Sequence, residues 1–151
     1  MQPTPDTAAR KHWMAVLARA SRDGLRDRLA AAPQLPPHIV LRGPEIGLVM
    51  TRGRIGGGGA PFNLGEMTVT RCTVQAGGRT GHAYVAGRAA DHALLAARLD
   101  AALQDPALHD PLQDAVIAPL AADQAAARAT TQRKAAATRV NFFTMATMRT
   151  T

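Results

Sequence analysis

The chain has 151 residues and is 46% hydrophobic, yet 32 of its residues are Ala, only 3% are aromatic and the formal net charge is +7. That composition allows a thin, Ala-rich core and lies close to the range where chains bury too little apolar surface to fold alone. No run approaches the roughly 20 apolar residues of a membrane span, Met1–Arg10 has no apolar leader stretch, and Cys72 has no second cysteine to pair with; we therefore expect a cytoplasmic protein without a transmembrane helix, disulfide framework or cysteine zinc site.

Along the chain, Trp13, Val16, Leu17 and Ala20 fall at i, i+3, i+4 and i+7, which is one face of a helix. A second short helix follows Ser21, a good N-cap, and carries Leu25 and Leu29, so residues 10–31 form an N-terminal helix pair. Pro33, Pro36 and Pro37 then make a linker. Residues 38–87 read as a β meander. His38–Leu41 and Ile46–Met50 are short β-rich runs parted by Gly43-Pro44, and Glu66–Gln75 and Thr80–Ala86 form a hairpin across Gly77-Gly78. From Ala89 the period becomes helical, with Leu95, Leu99, Ala102 and Leu103 on one stripe ending before Pro106. A short helix holds Leu112, Val116 and Ile117, and Pro119 suits the first turn of an Ala-rich helix running to about Thr138. Residues 139–145 hold the apolar Val140-Asn141-Phe142-Phe143 cluster. The expected fold is α+β: an antiparallel sheet of about four strands flanked by helices, in one domain over residues 1–151, with the Ala-rich helix packing on partner subunits.

The basicity is nearly all Arg, and it is segmented: residues 1–41 carry a net +3, 42–88 a net +4, 89–120 a net −4 and 121–151 a net +4. Alternating signs suit pairing with other protein surfaces, whereas a nucleic-acid binder more often presents one unbroken basic face. The second N-terminal helix carries Asp23 and Asp27 and lacks Asn or Gln for reading base edges. A small basic nucleic-acid-binding protein stays the alternative, supported by the net charge and the N-terminal helix pair.

Gly56–Gly59, flanked by Arg52 and Arg54, invites a phosphate-binding reading, because glycine lets backbone N–H groups approach an anion. However, Ala60-Pro61-Phe62 follow instead of the Lys and Ser/Thr of a Walker loop. We read the run mainly as an inter-strand loop and keep Arg52, Arg54, Gly56, Gly57, Gly58 and Gly59 as phosphate-contact candidates. His12, His38, His82, His92 and His109 show no metal-ligand spacing, Cys72 reads as a small buried side chain, and Ser21 lacks any nucleophile setting. No catalytic constellation emerges.

The stretch Gly47–Cys72, with Gly81-His-Ala-Tyr-Val-Ala-Gly-Arg88, Ile117-Ala-Pro-Leu120, Thr138–Met145 and the opening Arg10-Lys-His-Trp-Met14, resembles the PhnG family over nearly the whole chain. That resemblance implies the G subunit of the bacterial carbon–phosphorus lyase system for phosphonate breakdown. It implies a core assembly with H, I and J subunits in two copies each, hence a second copy of this chain, with the ATPase-like K and L subunits as further partners. It also implies that G acts with H, I and L to move ribose 5-triphosphate from ATP onto methylphosphonate, displacing adenine. The chemistry then falls to I and the radical step to J, with no catalytic residue to carry onto this chain, no directly bound cofactor, and ATP as substrate of the whole complex. Gly58 stands where members usually have Thr, Asn141 where many have Asp, Ala89-Ala90 where an Asp-Lys pair is common, and Leu94 replaces a Glu. Independently, the thin core marks Trp13, Val16, Leu17, Phe142 and Phe143 as candidates for burial, some of them across a chain boundary.

Overall fold

The computed structural model describes residues 6–140. Helix α1 (Thr7–Arg19) starts at Asp6, whose carboxylate accepts the Ala8 N–H, and α2 (Arg22–Ala30) starts at Ser21, whose hydroxyl accepts the Gly24 N–H. Three antiparallel strands follow: β1 (His38–Arg54), β2 (Pro61–Ala76) and β3 (Arg79–Ala86), in the order β1-β2-β3. The sheet thus has three strands, because the two β-rich runs before residue 54 are one strand. Gly43-Pro44 does not break it. Register shifts between Val40 and Arg42 and between Arg42 and Glu45 place that dipeptide in a bulged stretch of an edge strand, where Pro leaves no ladder bond unmade.

Helix α3 (Ala90–Leu103) crosses the sheet, and α4 (Pro106–Leu112), a π-helical segment (Gln113–Ile117) and α5 (Ala118–Ala137) complete the chain. The short helix expected around Leu112–Ile117 is therefore continuous with the long one. The Ala118 N–H reaches back five residues to the Gln113 carbonyl, and Pro119 sits in the turn that follows. No helix among the described residues is long and apolar enough to cross a membrane.

One face of β2 and β3 supplies Cys72, Val74, Ala83 and Val85 to the core, and the helices supply Trp13, Val16, Leu17, Leu25, Leu99, Leu103, Leu112, Val116 and Ile117. The Ala content of α3 sets how close its layers sit. Gly81 in β3 lies so near α3 that a Cβ there would stand 2.0 Å from the Ala97 carbonyl oxygen. Trp13, Val16 and Leu17 are thus enclosed by this chain's own sheet and helices, which leaves them no surface to offer a partner. Phe142 and Phe143 lie outside the described residues. Beyond Gln124 nearly every residue of α5 is exposed, as expected of a helix with so few large apolar side chains.

Candidate functional site

The feature that distinguishes this fold is the length of β1 and β2. Strand β3 pairs with β2 only over Val69–Ala76, whereas the β1–β2 ladder continues to Arg54 opposite Pro61. From Gly47 outward the two strands therefore form a free two-stranded arm, roughly 25 Å long at the usual strand rise. Ile46 at the arm's root and Leu48 and Met50 along it alternate on β1 and share one face, opposite Thr70, Thr68 and Glu66. All three are exposed, Leu48 at 62%, and the arm also exposes Ile55, Phe62, Leu64 and Met67. The stripe belongs to the sheet face that the helices cover further in, yet among the described residues it stays exposed. In addition, β1 is an edge strand, so its outer backbone groups have no sheet partner. A long, apolar, unpaired edge is the feature soluble monomers avoid, because it templates pairing with another chain.

The arm is anchored where it leaves the body. Glu45 pairs across the ladder with Arg71 and along its own strand with Arg42. Desolvation opposes ionisation of Glu45, but the hydrogen bond from Arg71 and the two guanidinium charges outweigh it, holding the carboxyl below its ordinary range.

The tip gathers the sequence's phosphate-contact candidates. Arg52 and Arg54 point to one face of β1, and Ile55–Gly57 make a tight 3-10 turn. Gly56 and Gly57 adopt positive φ (59° and 82°), and the Gly59 N–H closes the turn on the Ile55 carbonyl at 2.7 Å. A Cβ at Gly59 would stand 2.6 Å from that oxygen, so the glycines are used to reverse the chain. Arg54 Nη1 donates to the Gly59 carbonyl at 3.1 Å and is partly spent within the turn.

Comparison with known proteins decides the family. The family model described as phosphonate metabolism protein PhnG matches residues 8–148. A curated relative from Rhizobium meliloti (strain 1021), named alpha-D-ribose 1-methylphosphonate 5-triphosphate synthase subunit PhnG, is 45% identical over 139 residues, covering 91% of this chain and 88% of the relative. The chain belongs to the PhnG family.

Within this PhnG-family fold the other singled-out side chains hold structure together. His92, buried at the start of α3, donates from Nε2 to the Leu17 carbonyl at 2.8 Å, and Gln124 donates to the Val16 carbonyl at 2.9 Å, so α3 and α5 both grip the end of α1. His109 donates from Nδ1 to the Leu103 carbonyl and stands edge-on to Trp13, ring centroids 5.5 Å apart. His82 hydrogen-bonds Thr73 on the exposed face of the sheet. Cys72 is buried, and burial pushes its thiol pKa up, away from the reactive thiolate. Among the described residues no three His, Cys, Asp or Glu side chains group as metal ligands.

Sequence reasoning missed one charged residue of consequence. Asp100, fully buried on α3, accepts from Arg10 Nε and Nη2 at 3.1 and 2.7 Å, from the Trp13 indole at 2.9 Å and from the His82 backbone N–H at 2.9 Å. Four donors around one carboxylate, with no open side, make a clamp between α1, α3 and β3. The available signal was an Asp one position from Leu99 on an otherwise apolar stripe, with an Arg and a Trp three apart on the helix facing it.

Proposed function

We propose that this chain is a non-catalytic subunit of an alpha-D-ribose 1-methylphosphonate 5-triphosphate synthase acting in phosphonate breakdown, and that its β1–β2 arm is the surface by which it enters the complex. The supporting observation is the arm: an edge strand with Ile46, Leu48 and Met50 exposed on one face is stable in water only when something covers it. The partners in this reading are the H, I and J subunits and a second copy of the chain, in the cytoplasm, with the ATPase-like L subunit needed for the transferase reaction and K as a further contact. The chain binds no cofactor of its own, and ATP is the substrate of the assembled complex. Reaction chemistry in this reading belongs to other subunits. The nucleic-acid alternative rests on the net charge and the N-terminal helix pair, whereas one face of the protruding arm presents the aliphatic side chains of Leu48 and Met50.

The test is light scattering of the chain expressed alone and then with the neighbouring H, I and J subunits. Self-association alone and entry into one stoichiometric particle with the partners supports the reading. A stable monomer that ignores all three overturns it.

A further inference from the structure

Residues of helices α2 and α3 line a cleft of about 310 Å3. Its floor is aliphatic: Leu29 from α2 and Leu94 and Leu95 from α3. Its walls carry three guanidinium groups, Arg22 and Arg26 one helical turn apart on α2 and Arg98 on α3, against a single carboxylate, Asp91. Arg22 shares itself between Asp91 at 3.7 Å and Asp23 at 3.5 Å. Neither Arg26 nor Arg98 forms an ion pair among the described residues. Arg98 is also under-satisfied: its Nε is closed off from solvent and finds no acceptor. No other side-chain hydrogen bond of Arg98 forms among the described residues, so its outer Nη nitrogens are left to meet an oxygen from outside the chain. His38, at the start of β1, lies within reach of the Arg98 charge, its imidazole held below the ordinary value first by desolvation and second by Arg98.

We infer that this cleft binds a phosphorus oxyanion bearing an organic group, an organic phosphate or phosphonate, with the oxyanion held between Arg26 and Arg98 and the organic group lying on Leu29, Leu94 and Leu95. The charge count selects the class. Two free guanidinium groups match a dianion, whereas a monocarboxylate would leave one of them uncompensated, and several oxygens on one phosphorus let both forks meet a single compact group. The aliphatic floor selects against bare inorganic phosphate. Arg22, tied to Asp91, closes the far end and is positioned to turn inward when the anion arrives.

The experiment is hydrogen–deuterium exchange read by mass spectrometry on the full-length chain kept dilute, and on the chain within the co-expressed complex, because peptide resolution localises the response in both. Phenylphosphonate is the probe, with inorganic phosphate and acetate at matched ionic strength as comparisons. Phenylphosphonate should slow exchange in the peptides covering residues 22–30 and 91–98, inorganic phosphate should do so more weakly, and acetate least. R26A, which removes an exposed side chain and leaves the fold alone, should weaken the response about tenfold, the loss of one charge-assisted pair; R98Q should do the same. The variant R128A on the exposed part of α5 should respond like wild type, which separates this cleft from general attraction of anions to a basic chain. Equal protection by all three anions, an unchanged response in R26A and R98Q, or no protection of these peptides in either form of the protein overturns the inference.

Discussion

The indole of Trp13 donates to Asp100 across 87 positions of sequence, at 2.9 Å and with both side chains buried. The same carboxylate takes two bonds from Arg10 and one from the His82 N–H, so a single group holds α1, α3 and β3 in register. Asp100→Ala leaves a buried indole N–H without an acceptor and the part-buried Arg10 guanidinium with only the Thr80 carbonyl, and the expected cost is roughly 3–5 kcal/mol, the range for breaking a buried charge pair from one side. Asp100→Asn keeps an acceptor and should cost less. Chemical denaturation of the purified assembly, or protease resistance of the chain, ranks the two; equal loss in both would mean that the charge itself is what matters.

Gly81 supplies a second test of the same layer. Its missing side chain lets β3 approach α3 until a Cβ would stand 2.0 Å from the Ala97 oxygen and 2.6 Å from the Ala101 nitrogen. Both are backbone atoms of a helix and cannot swing aside. Gly81→Ala should therefore destabilise by about 3 kcal/mol or more, at or above the upper end for overpacking a core, while Gly47→Ala, with nothing within 4 Å, should be close to neutral at the same level of expression.

These two residues also show where sequence reasoning runs out. The hairpin over Gly77-Gly78, the Ser21 cap and the apolar stripes of α1 and α3 are written in local chemistry: turn residues, a capping hydroxyl, a period near 3.6. They were legible for that reason. The continuity of β1 through Gly43-Pro44 was not, because an edge strand and a bulge remove the penalty that makes Pro a strand breaker, and neither condition is local. Asp100 and Gly81 act through partners about 20 to 90 residues away in the chain, and spacing within one element carries no trace of that. Trp13, Val16 and Leu17 were correctly expected to be buried, but periodicity cannot say whose surface buries them. The arm was half visible. Its alternating residues read as strand, yet only the shortness of β3 leaves Ile46, Leu48 and Met50 uncovered.

On that uncovered stripe, Leu48→Glu combined with Met50→Glu places two carboxylates where a partner would bury aliphatic surface. Neither side chain touches the core, so the chain's own stability should move by no more than about 0.5 kcal/mol, as for ordinary surface substitutions. Entry into the complex should fail. Co-purification with tagged partner subunits reads the second effect and circular dichroism the first. A variant that still assembles in full yield removes the arm from the interface.

The Glu45–Arg71 pair at the arm's root makes a pH prediction whose sign follows from its direction. The folded-state pKa of Glu45 lies below the ordinary 4.5, so its contribution is fully present above that value and is lost as pH falls through the folded pKa. Both partners are more than one-third exposed, and the effect on global stability is correspondingly small. Its local effect should be visible as faster amide exchange across residues 40–48 in Glu45→Gln than in wild type at neutral pH. The two proteins should converge as pH falls through the lowered folded-state pKa of Glu45, where the wild-type carboxyl is protonated as well, and also in high salt, which screens the pair.

Arg52 and Arg54 decide what the arm's tip is for. If the tip reaches a partner's ATP-binding region, two guanidinium groups on one face of β1 supply phosphate contacts, and replacing both with Ala should raise the ATP concentration needed for half-maximal turnover of the whole complex, by about tenfold for the loss of one charge-assisted pair. Assembly should be intact, because the apolar stripe further in is untouched. Arg54 already spends one donor on the Gly59 carbonyl, which assigns most of the effect to Arg52, so R52A alone should reproduce more of it than R54A alone. Unchanged ATP dependence in the double variant, with assembly preserved, leaves the tip as a turn that only closes the hairpin, while failed assembly means that the two arginines contact protein.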